Sequence, residues 1–156
     1  TLGTIIKEQF QDKNNYEIKV LEIGCGPGFT TLIILDSDER TKIVAVDNEP
    51  VMIEQAKEIL KEFIDSERVQ LVEDDALKFL KKQSSDSFDV FASGFTLHNL
   101  PNDFREEIIK EIYRVLKPEG IFVNADKYAL DEESEHKQSL NWQLQQLEFP
   151  YSVPNR

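Results

Sequence analysis

The stretch Val20-Leu21-Glu22-Ile23-Gly24-Cys25-Gly26-Pro27-Gly28-Phe29-Thr30-Thr31 decides how this chain is read. A short apolar run, Val20 to Ile23, predicts a buried strand. It breaks into three glycines at alternate positions, and the apolar segment from Thr31 to Leu35 then opens a predicted helix. The chain has six glycines, and half of them fall within these five residues. Such a turn allows positive φ and brings a ligand close to bare main chain. A strand, a glycine turn and a helix start together make a site for a nucleotide-like ligand.

Outward from this stretch, strand and helix patterns alternate. Leu2, Ile5, Ile6 and Phe10 fall at helical spacing ahead of the first strand. Residues 42–47 predict a second strand that ends on Asp47, with Asn48 in an N-cap position and Pro50 in the first turn. Met52, Ala56, Ile59 and Phe63, widened by Ile53 and Leu60, predict one long helix. Residues 69–72 predict a third strand, which runs into Glu73-Asp74-Asp75-Ala76 and a short helix through Leu77, Phe79 and Leu80. Residues 88–93 predict a fourth strand, leaving through Gly94. Asp103 and Glu106 stand as a capping-box pair for a helix marked by Phe104, Ile108, Ile112 and Val115. Lys117-Pro118-Glu119-Gly120 is expected to stop that helix before a fifth strand over 121–125. Leu140, Leu144 and Leu147 then share one face of a last predicted helix. This alternation implies an α/β fold: a doubly wound, mostly parallel sheet with helices on both faces and right-handed crossovers. Ligands of such sheets bind beyond the carboxyl ends of the strands.

The bulk numbers narrow the class. At 156 residues the chain is one domain, and 40% hydrophobic with 31% charged residues describes an ordinary globular protein. A formal net charge of -12 argues against nucleic acid or an anionic membrane as partner. One cysteine excludes an internal disulfide framework and fits a reducing compartment, so the expected location is cytoplasmic. No run is apolar enough to span a bilayer. Zinc-ligand spacing, a nucleophile elbow and a P-loop lysine are all missing from the sequence.

Asp47 lies about twenty residues beyond the glycine turn, where an acid can accept hydrogen bonds from both hydroxyls of a ribose. The turn itself reads Gly24-x-Gly26-x-Gly28 rather than G-x-G-x-x-G, with Glu22 two residues before the first glycine. In this the chain resembles the class I S-adenosylmethionine-dependent methyltransferases, whose first motif is an acid followed by G-x-G-x-G. The resemblance runs from Lys19 to Ala125, with its parts in the family's order.

Carried over residue by residue, the resemblance implies S-adenosyl-L-methionine as cofactor and a set of contacts. The turn residues Gly24, Cys25 and Gly26 would pass beside the cofactor, and Glu22 would reach its ammonium directly or through water. Asp47, with Asn48 beside it, would hold the ribose, and Met52 would border the adenine. Asp75 would meet the adenine amino group while the Ala76 N–H meets the ring; Asp74 stands where glycine is familiar, which leaves that register open by one residue. Ser93, Gly94 and Phe95 would form the fourth-strand exit, where carbonyls hold the ammonium. His98 is a weak candidate for a general base, with a satisfied structural histidine as the plainer alternative. No metal is expected.

The activity implied is methyl transfer to an unidentified small-molecule acceptor. Nothing at the fourth-strand exit resembles Asn-Pro-Pro-Tyr, so methylation of an amide or base amino group in that style is not supported. Two alternatives stay open: a non-catalytic subunit that binds S-adenosylmethionine, and a nicotinamide-dependent oxidoreductase. Residues 1–156 are expected to form one cofactor-binding domain, with 127–156 as a lid or substrate-side helical segment. The chain starts at Thr1 and has no room for the family's sixth and seventh strands, so it is expected to be a piece of a longer product that lacks the last of the sheet.

Overall fold

The computed structural model describes residues 2–94 and 96–125. Their elements follow in the order α1 (Leu2–Gln9), β1 (Ile18–Ile23), α2 (Phe29–Ser37), β2 (Thr41–Asp47), α3 (Pro50–Ile59), α4 (Lys61–Asp65), β3 (Val69–Glu73), α5 (Ala76–Lys82), β4 (Phe88–Gly94), a 3-10 turn (Leu97–Asn99), α6 (Asn102–Val115) and β5 (Leu116–Ala125). The five strands form one sheet in the order β3-β2-β1-β4-β5, and every pair is parallel. The chain steps outward from β1 to β3 and then returns to the other side of β1. The switch point therefore lies between β1 and β4, the place where such sheets open a crevice for ligands.

Side-chain alternation along the strands feeds two cores. Val20 of β1 joins Ile43, Ala45, Val90 and Ala92 beneath Ile6, Phe10, Ile34, Leu35, Ile53 and Leu60. Leu21 and Ile23 point the other way, with Val46 and Phe91, and are covered by Leu77, Leu80, Ile108, Ile112 and Val115. Both faces of β1 are thus buried from Val20 onward, which is why that stretch is apolar apart from Glu22.

At the amino ends of the strands a buried charge is fully compensated. Asp89 is 4% exposed. It accepts from the Tyr16 hydroxyl at 2.6 Å, the Lys19 N–H at 2.9 Å and the Lys117 ammonium at 2.9 Å. Burial opposes the charge on Lys117, but the bonds to Asp89 and Tyr16 prevail and hold its pKa above the ordinary lysine value. This cluster ties the loop before β1 to β4 and β5.

Three local expectations are corrected. Asn48 is not the cap of α3: Asp47 accepts from the Glu49 N–H at 2.9 Å, closing a turn that moves the cap to Glu49. The long helix breaks at Leu60, whose backbone leaves helical values while its side chain is buried against Gly28. Asp103 and Glu106 form no capping box. Pro101 caps α6, its carbonyl taking the Arg105 N–H at 2.9 Å, and Asp103 sits inside the first turn, where it faces the helix dipole. The stop at 117–120 holds in a different form. Leu116 already pairs with Phe88, and the register then jumps to Val90 with Ile121, so these four residues bulge out of β5. Residues 127–156, with the predicted last helix, lie outside the described residues.

Candidate functional site

The glycine turn is hooked onto the end of β2. Gly24, at φ +69°, donates to the Val46 carbonyl at 2.8 Å, and Cys25 donates to the same oxygen at 3.2 Å. A Cβ at Gly24 would stand 2.1 Å from Thr96 Oγ1. The loop after β4 therefore packs directly onto the turn, its Thr96 hydroxyl reaching the Gly94 carbonyl at 3.0 Å and the Gly24 carbonyl at 3.3 Å. Gly26, at φ +53°, is different: a Cβ there would meet nothing within 4 Å. It presents bare main chain to open space, the arrangement a closely approaching ligand needs.

Asp47 joins the first two strand ends. One carboxylate oxygen accepts from the Gly26 N–H at 2.8 Å and the other from the Glu49 N–H at 2.9 Å. Each oxygen keeps capacity for a further donor.

Glu22 is 0% exposed in the floor of the turn. Its Oε2 accepts from the Thr31 hydroxyl at 2.6 Å, while Oε1 is buried with no hydrogen-bond partner among the described residues. Burial pushes this carboxyl up to about 7; the Thr31 bond pulls it down and the neighbouring Asp47 charge adds to the rise. Cys25 is also buried, and burial pushes its thiol far up, which makes it inert.

At the third strand end the two aspartates divide their work. Asp74 binds Lys82 at 2.7 Å and Lys78 at 3.4 Å, and the Lys82 bond holds its carboxyl below the ordinary value. Asp75 caps α5, accepting the Lys78 N–H at 2.9 Å through Oδ1. Asp74 is thus saturated by lysines, whereas Asp75 is exposed with one oxygen committed to the cap.

Gly24, Asp47, Asn48, Asp75 and Ala76 line a single cleft of about 100 Å³. Leu100 and Phe104 line it as well, the latter marked by the sequence only as part of a helical stripe. Met52 sits half-buried in the first turn of α3. Ser93 is buried beside Ile23, and its hydroxyl has no partner among the described residues; Gly94 ends β4, half-buried. Phe95 lies outside the described residues. His98 falls in the 3-10 turn that follows. Thr31 and Thr96 were missed because neither type nor spacing marks a threonine hydroxyl as partner of Glu22 or of the Gly24 carbonyl. A larger depression of about 670 Å³ lies at the amino ends of β1, β2 and β3. It brings none of the predicted residues together, and Arg68 there is already spent on the carbonyls of Leu35, Asp38 and Thr41. Among the described residues no cluster could hold a metal ion, and no helix is long and apolar enough to cross a membrane.

Residues 20–120 match the family model described as "Methyltransferase domain". A demethylmenaquinone methyltransferase of Leptospira interrogans is 38% identical over 116 residues, covering 73% of this chain and 45% of the relative. A carboxy-S-adenosyl-L-methionine synthase of Photobacterium profundum is 31% identical over 125 residues, covering 79% of this chain and 50% of the relative. The chain therefore spans about half the length of these curated relatives. The crystal structure of the YcgJ protein of Bacillus subtilis superposes with a TM-score of 0.67 at 27% identity, covering 90% of this chain and 56% of that one.

Proposed function

Because this chain belongs to the class I S-adenosylmethionine-dependent methyltransferases, we propose that the protein transfers a methyl group from S-adenosylmethionine to a small-molecule acceptor. Glu22 is the observation that carries this reading. A fully buried carboxylate oxygen with no donor is costly unless a ligand supplies one, and a ligand ammonium suits it. The same feature disfavours the nicotinamide alternative. A dinucleotide turn points its N–H groups at a pyrophosphate, but here the Gly26 N–H is donated to Asp47, and a second carboxyl lies beneath it.

The remaining roles follow the strand ends. Gly26 leaves room for the cofactor along its main chain, and Gly24 and Cys25 pass beside it. Asp47 offers its remaining lone pairs to the ribose hydroxyls, with Asn48 beside it. Asp75 and the Ala76 N–H take the adenine, which Met52 borders. Ser93, Gly94 and Phe95 supply, at the exit of the fourth strand, carbonyls for the ammonium. When bound, the cofactor supplies a methyl already activated on a sulfonium, so the chain's task is alignment. His98 is the candidate for accepting a proton from the nucleophile. The net charge of -12 supports a small acceptor over nucleic acid, and the single cysteine supports a cytoplasmic location.

The test is calorimetry on the full-length protein with S-adenosylhomocysteine and with NAD. S-adenosylhomocysteine should bind and NAD should not. Asp47→Asn, which keeps an acceptor for Gly26 but loses the charge, should weaken binding by about tenfold. Preference for NAD would overturn the cofactor reading. A methyl-transfer assay over small-molecule acceptors then separates an enzyme from a binding subunit, since only the enzyme yields product.

A further inference from the structure

Resting on the cofactor reading above, we propose that Thr31 is a positioning residue that sets the chain's preference for ligands bearing an ammonium-containing tail. Thr31 and Glu22 are both 0% exposed, one in the first turn of α2 and the other near the end of β1. The threonine hydroxyl donates to Oε2 at 2.6 Å. That bond fixes the carboxyl rotamer and engages one oxygen, leaving Oε1 as the acceptor for an incoming N–H. No other described group competes for the carboxyl. Its strand neighbours in register are Ala45 and Ala92, and its titratable neighbours are Asp47 and the Cys25 thiol, both acidic. A cationic donor is therefore what the pocket lacks.

Thr31 also acts on the charge of Glu22, because a hydrogen bond to a carboxylate favours its ionised form. Without it the carboxyl stays protonated to higher pH and offers less to an ammonium. The test compares two ligands on the full-length protein: S-adenosylhomocysteine, and 5′-methylthioadenosine, which keeps adenine, ribose and thioether but has no amino-acid tail. Thr31→Val should weaken S-adenosylhomocysteine about tenfold at pH 7 and change 5′-methylthioadenosine less than about twofold. The loss should be larger at pH 6.5 than at pH 8.5, and Thr31→Ser should recover most of it. Thr31→Cys, with a weaker donor of similar size, should fall between and carries the test if the valine variant does not fold. Equal weakening of both ligands, a loss that ignores pH, or no loss at all would overturn the proposal. Failure of the unmutated protein to bind either ligand would overturn the cofactor reading instead.

Discussion

Replacing Glu22 by Gln should raise the stability of the ligand-free protein, relative to the unmutated chain, as the pH rises. The carboxyl has an ordinary value of 4.5 and is pushed to about 7 in the fold. Between these values the folded chain keeps a proton that the unfolded chain has released, so stability falls as the pH rises through this window. Above both values the deficit is complete, at about 3 kcal/mol, from about 1.4 kcal/mol for each tenfold change in proton affinity. At pH 5 less than about 1 kcal/mol of it has developed. Glutamine cannot ionise and is exempt. Its amide keeps an oxygen for Thr31 but leaves its N–H groups without an acceptor, at a cost of about 1–3 kcal/mol that does not vary with pH. That constant cancels in the comparison. Urea denaturation at pH 5 and pH 8 should show the Glu22→Gln variant gaining about 2–3 kcal/mol on the unmutated chain between the two. A difference that stays within about 0.5 kcal/mol across this range would mean that Glu22 titrates as an ordinary carboxyl, and the argument from its burial would fail. The same variant should lose affinity for S-adenosylhomocysteine at either pH, even as its relative stability rises.

The two forward glycines of the turn should respond differently to alanine. Gly24→Ala drives a methyl into Thr96 and should cost about 2 kcal/mol or more by thermal or urea melting. Gly26→Ala meets empty space and should cost only about 1 kcal/mol for its positive φ, yet weaken S-adenosylhomocysteine in calorimetry by crowding the ligand face. Asp89→Asn, at the far end of β4, strands the Lys117 charge and should lower stability by about 2–3 kcal/mol in urea. Its affinity for S-adenosylhomocysteine should stay within about twofold of the unmutated value, and a larger change would place the cluster in the binding machinery.

The fold was legible because its signals are local. Predominantly apolar runs at β1 and β4, set between helical stripes, demand a sheet covered on both faces, and the order of elements follows. What misled was also local. Asn48 is a good cap by type, but the Asp47 carboxylate had already closed a turn across it. Asp103 and Glu106 have capping-box spacing, but Pro101 fixed the helix start one residue before Asn102. The 117–120 stretch carries turn residues, and the structure uses them as a bulge inside a strand because Leu116 is held by Phe88. In each case a neighbour's geometry overrode a residue's preference.

The site was half legible for a related reason. A glycine turn and the acids at strand ends announce themselves by type and spacing, and Gly24, Asp47, Asn48, Asp75 and Ala76 do line one cleft. What no spacing rule encodes is which acid is spent and which is held ready. Asp74 and Asp75 are adjacent and identical, yet the first is neutralised by two lysines of α5 and the second is left with an oxygen to give. Glu22 and Asp47 flank the same turn, yet one is exposed enough to bind backbone donors while the other is sealed with a single threonine. Those differences arise from how each side chain is seated: Asp74 is met by the helix that follows it and Glu22 by a threonine nine residues on, whereas Asp47 reaches back 21 residues to the glycine turn. The glycine turn therefore gives the class of ligand, whereas its selectivity rests on how the buried acid is held. That is why Thr31, which the sequence offers only as part of an apolar helix start, is the residue whose substitution should distinguish a ligand with a charged tail from one without.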